Sequence, residues 1–138
     1  MSTNNSKLDI NLINICLSEF DKQPNNLESL VRLAKHMREN AKSRLCYSLC
    51  RVILYTCLKK ENIICSLENV YHEMTICCYY LNKFKEGQLY SDKLIHSKST
   101  SSDIRNAARR NLIWYLDKLD SDDEFQVPID APMLHMFS

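Results

Sequence analysis

Apolar residues recur along this chain at intervals of three and four, the period of helices that bury one face. Leu8, Leu12, Ile13, Cys16, Leu17 and Phe20 predict a helix over about residues 7–21, closed by Pro24. Asn26 is placed to cap a second helix with Glu28 in its first turn, and Leu27, Leu30, Leu33, Ala34 and Met37 form its stripe to about residue 40. The third helix, about 42–60, carries Leu45, Cys46, Leu49, Cys50, Ile53, Leu54, Cys57 and Leu58, a broad face that predicts deep burial. A connector follows over residues 62–65. Ser66 is then expected to cap a fourth helix bearing Val70, Tyr71, Met74, Cys77, Cys78 and Leu81, and Asn82 suits the left-handed turn that ends it. A fifth helix runs from about Lys83 or Phe84 to Ser97. After the polar loop KSTS, Ser102 and Asp103 open a sixth with Ile104, Ala107, Ala108, Leu112, Tyr115, Leu116 and Leu119 on its stripe and Trp114 at its border.

Within these helices one seven-point pattern occurs twice. Leu30, Leu33, Ala34, Met37, Cys46, Cys50 and Ile53 have the same spacing as Tyr71, Met74, Thr75, Cys78, Gly87, Ser91 and Leu94. Large residues with a small one between them on the first helix, then small residues on the second, describe how a tetratricopeptide-type helix-turn-helix packs. The offset of 41 residues exceeds the usual unit of about 34, and the surplus falls in the connector ENIICSLEN, where insertion costs little. Gly87 costs roughly 1 kcal/mol against alanine in an exposed helix, so its presence predicts a close backbone, that of the preceding helix.

Composition supports an all-helical chain. Among 138 residues there are one glycine and three prolines, too few to punctuate many short strands. The expected fold is all-α, a tetratricopeptide-like repeat of about six helices with two recognisable units flanked by single helices. Residues 1–119 form the domain, and 120–138 form an acidic linker and proline-containing tail. With 18 basic and 17 acidic residues the net charge is +1, so no global field draws the chain to nucleic acid or membrane. No apolar run approaches the roughly 20 residues needed to span a bilayer, and the polar start MSTNNSK lacks a signal-peptide core. A cytoplasmic protein is expected. Its seven cysteines, odd in number and set at helical apolar positions, read as reduced core residues.

The runs LVRLAKHMRENAKSRLCYSLCRVIL, VYHEMTICCYYLNKFKEGQLYSDKLI and IRNAARRNLIWYL resemble the tetratricopeptide-like helical region that accompanies glycosyltransferase-type domains in proteins of giant DNA viruses and some bacteria. The most specific segment is YHEMTICCYYLNKFKEG. In that family a similar segment precedes a cluster like RRNLIWYL and a proline-containing strand, whose beginning residues 124–138 resemble. Cys46 and Cys50 stand where alanines are usual, and Thr75 where small residues vary. The resemblance implies a helical scaffold beside a sugar-transferring enzyme, in host cytoplasm if viral. It implies no catalytic residue here, and either a stand-alone remnant or a piece of a longer protein.

Catalytic and metal motifs fail on inspection. His72 and Glu73 open as HExxH does, but Ile76 occupies the second histidine position. His72, Cys77 and Cys78 lack a fourth ligand at metal spacing. Asp120, Ser121 and Asp122 spell the D-x-D of sugar-nucleotide enzymes with no strand before them, and they read as solvated linker. Arg105, Arg109 and Arg110 on the sixth helix are placed to meet phosphate, offset by the nearby DSDDE. No cofactor or metal is expected, and the chain reads as non-catalytic.

A groove is the stronger candidate. In helical repeats the first helix of each unit lines a concave surface, which here selects Glu28, Val31 and Lys35, then Asn69, His72 and Ile76, with Arg38 and Tyr79 one turn further. Lys35, Arg38, His72 and Tyr79 are the expected partner-binding residues, suited to an acidic or aromatic peptide or to an adjacent glycosyltransferase-type domain. Because about three stacked units are normally needed for stability, a homodimer is a further expectation.

Overall fold

The computed structural model describes residues 7–121 as six α-helices. They are α1 (Ile10–Lys22), α2 (Glu28–Glu39), α3 (Ser43–Lys59), α4 (Leu67–Tyr80), α5 (Phe84–His96) and α6 (Ser102–Ser121). The expected acidic linker and tail fall almost wholly outside the described residues, except that α6 runs through Ser121, two residues past the expected boundary.

Each helix packs on its sequence neighbours, and in addition α2 touches α4 and α4 touches α6. The even-numbered helices therefore form one layer, with α3 and α5 behind it. The core lies between them: Leu27, Leu30, Val31 and Ala34 meet Cys46, Cys50, Ile53 and Leu54 of α3, Val70, Met74, Cys77 and Cys78 of α4, and Tyr90 of α5. Small thiols permit close approach of α3 and α4. Of the fourteen positions in the two seven-point sets, only Met37 and Tyr71 are half-buried, and the rest are buried.

The turns after α2 and α4 share one geometry. Ala41 (φ 62°) and Asn82 (φ 61°) are both left-handed, 41 residues apart like the apolar pattern. Lys42 N donates to Met37 O and Lys83 N to Cys78 O, each at 2.8 Å, closing the same six-residue loop over the helix end. Asn82 thus plays its expected part. The surplus residues behave differently: Ile64 forms a parallel bridge with Asn26, in which Leu27 N donates to Ile64 O and Ile64 N to Asn25 O, both at 2.8 Å. The connector is tied back against the entry to α2.

Four expectations need correction. Ser66 precedes α4, but its hydroxyl does not cap that helix; it donates to Glu28 Oε2 at 2.5 Å, a tertiary bond to α2. The neighbour of Gly87 is not the α4 backbone: a Cβ there would overlap the Tyr115 ring of α6. The α3 face is only partly covered, since Leu45 and Leu58 near its ends are exposed. On α6, Ala108 and Tyr115 are buried while Leu116 is exposed, because α6 has helices on one side only. One cap escaped the sequence reading: Asp9 Oδ1 accepts from Asn11 N and Leu12 N to start α1.

Candidate functional site

The layer of α2, α4 and α6 carries the expected site residues, and they divide into two groups; on α4 itself His72 and Tyr79 are two helical turns apart, a rise on the order of 10 Å. Lys35, Arg38 and His72 form the first. Lys35 is exposed on α2. Arg38 is committed internally: its Nε donates to Glu73 Oε1 at 2.7 Å and Nη2 to Oε2 at 3.2 Å, a two-pronged pair across α2 and α4. Glu73 is nearly enclosed, with its side chain 4% exposed, and its hydrogen bonds raise the Arg38 pKa further. The Arg38 guanidinium therefore holds α2 to α4 and is presented to a ligand at most edge-on.

His72 sits beside that pair, half-buried, with a buried Nδ1 that has no hydrogen-bond partner among the described residues. Burial lowers its pKa, and the cations Arg38 and Lys35 act in the same direction against the opposing pull of Glu73. The imidazole is neutral at pH 7, so it offers polar atoms and no charge.

The second group is aromatic. Tyr79 lies at the centre of four rings, 5.8 Å from Tyr80, 5.7 Å from Phe84, 5.8 Å from Trp114 and 5.7 Å from Tyr115, with edge-on or tilted geometry. Behind them the Tyr115 hydroxyl donates to Thr75 O. Tyr80 is 68% and Trp114 54% exposed, so two large aromatic faces meet solvent on either side of a cleft between α4 and α6. The cleft holds about 30 Å³, room for a water and too little for a metabolite. Sequence reasoning reached Tyr79 and Ile76 but missed Tyr80 and Asn111. Trp114 was noticed only as a stripe border, because pairing of α6 with α4 is not encoded locally.

The other sequence candidates are placed apart from this face or consumed. Glu28 accepts from Ser66, and Val31 is buried. Arg105 donates to Ser97 O at 2.6 Å and Thr100 O at 3.2 Å, which makes it a clamp on the α5–α6 loop. A larger cleft of about 360 Å³ between α1 and α2 is lined by Glu19, Lys22, Asn26, Glu28, Ser29 and Arg32 among others; in it Arg32 binds Glu19 at 2.6 Å and Glu28 accepts from Ser66. Among the described residues no group of three or more His, Cys, Asp or Glu is arranged to hold a metal, and no helix is long and apolar enough to cross a membrane.

Compared with protein-family models, curated proteins and solved structures, the chain matches none of them. The resemblance to glycosyltransferase-associated helical regions rests on the quoted segments alone.

Proposed function

We propose that this chain is a non-catalytic, tetratricopeptide-like interaction module that docks a protein or companion domain on the α2–α4–α6 face. The observation that carries the reading is the pairing of an exposed aromatic platform, Tyr80 and Trp114 around Tyr79, with the exposed cation Lys35 on the same layer. The recurrence at 41 residues of both the buried pattern and the left-handed turn supports the repeat. The fitting ligand is an extended peptide with an apolar or aromatic residue for the rings and, farther along, an acidic residue for Lys35, which lies one helix away from Tyr79 and two from Trp114. His72 supplies an uncharged polar contact between them.

Binding to an array of fluorescent peptides tests this. Peptides carrying both residues, in an array that varies their spacing, should bind the wild type and lose at least about tenfold on K35E or W114A, with helicity unchanged, as expected for a rim charge and an aromatic anchor. Equal binding by wild type and both variants would refute the assignment.

Self-association is a second reading, favoured by exposed apolar residues at both ends of the array: Ile10, Ile15 and Leu17 on α1, and Ile113 and Leu116 on α6. Sedimentation at several concentrations should then show a dimer that I113E with L116E abolishes.

A further inference from the structure

The seven cysteines separate by access. Cys16, Cys46, Cys50, Cys77 and Cys78 are fully enclosed, whereas Cys57 and Cys65 are half-buried. The two accessible thiols are near enough to perturb each other's ionisation, and both pack on the edge of the core. Cys57 is in the last turn of α3. Cys65 lies in the connector between two anchored neighbours, Ile64, which is bridged to Asn26, and Ser66, which is bonded to Glu28. The connector thus holds its sulfur against α3 without help from a covalent bond.

We propose that Cys57 and Cys65 are a reversible disulfide site, closed by a low-molecular-weight disulfide such as oxidised glutathione, that fastens the connector to the end of α3. The order of reaction follows from the environments. Burial raises the Cys57 thiol, but Cys65 pulls it back down, while burial and Cys57 push Cys65 up to about 12. Cys57 is the attacking thiol. It loses its proton to solvent and its thiolate attacks one sulfur of the glutathione disulfide, breaking that S–S bond and releasing one glutathione thiolate. Cys65 then loses its proton and attacks the Cys57 sulfur, and the second glutathione thiolate leaves. Two protein thiols are oxidised to one disulfide and one glutathione disulfide is reduced to two thiols. Because thiolate is scarce at neutral pH, the rate should rise about tenfold per pH unit.

The product closes the loop from Cys57 to Cys65, which contains the exposed Lys59 and Lys60. Those lysines supply the assay. The full chain is equilibrated in glutathione redox mixtures, alkylated, and digested with trypsin, which separates Val52–Lys59 from Glu61–Lys83. The expected product is these two peptides joined through Cys57 and Cys65, with Cys77 and Cys78 alkylated. In C65S, Cys57 should stop at the glutathione mixed disulfide; C57S should yield no bridge. The proposal is overturned by a wild type that keeps glutathione on Cys57, by a bridge to any other cysteine, or by two free thiols at a poise that fully oxidises a CxxC control protein.

Discussion

A methyl group at position 87 would stand inside the ring of Tyr115, and this one contact explains why the chain spends its only glycine in the first turn of a helix. Replacing a helical glycine with alanine ordinarily gains about 1 kcal/mol of propensity. Here the ring must move, and its hydroxyl would leave Thr75 O. G87A should therefore lower stability by about 1–3 kcal/mol in urea titration, the range for overpacking; an unchanged or higher midpoint would contradict the contact. One position earlier, the Glu86 carboxylate is fully enclosed and accepts from Tyr47 at 2.8 Å and Tyr90 at 3.4 Å. Burial raises its pKa, opposed by Arg51 and Lys83. A carboxyl whose folded pKa exceeds its unfolded value of about 4.3 binds its proton more tightly in the native state. Its contribution is complete below the unfolded pKa and is lost as pH rises through the folded one. Wild type should thus lose stability relative to E86Q as pH rises above about 4, measured as the difference in urea midpoints.

Among the elements, the two turns after α2 and α4 have one geometry and unequal residues. Asn82 accepts a left-handed backbone readily, while alanine at 41 bears about 1 kcal/mol of strain. A41G should stabilise the protein by about 0.5–1 kcal/mol, visible as a raised urea midpoint, and a fall would show that the turn is not left-handed. The Arg38–Glu73 pair joins α2 to α4 more strongly than an exposed pair, since its side chains are 22% and 4% exposed. R38A and E73A should each cost about 3 kcal/mol, and the double variant less than their sum, because removing the second partner relieves an orphaned charge. All six helices were legible in sequence, since apolar periodicity is a local signal. The left-handed Asn82 was legible for the same reason. What was hidden depended on other elements: Ser66 has the spelling of a cap and serves Glu28, and Gly87 answers to α6. Arg38 has the spelling of a surface cation and is taken by Glu73. The aromatic platform was half visible, because Tyr79 lies on the predicted face while Trp114 and Tyr115 come from α6.

Across the molecule, packing is uneven from one end to the other. Among the described residues α1 touches only α2 and buries one residue, Cys16, with the Asp9 N bond to His36 Nε2 at its start. α6 touches both α4 and α5 and is pinned by Tyr115. In a quasi-linear array such differences appear as local opening. Amide exchange should therefore be fastest in α1, slower in α6, and slowest where α2, α3 and α4 share the core; uniform exchange across all six would show a single cooperative unit. The position of Trp114 has one more consequence. It is the sole tryptophan of the chain, it is half in solvent, and its ring centroid lies 5.8 Å from that of Tyr79. The protein carries its own optical reporter at the proposed docking face. A ligand laid over the rings would shift its emission to the blue and shield it from aqueous quenchers, whereas melting would shift it to the red, so occupancy and unfolding are read in one spectrum with opposite signs.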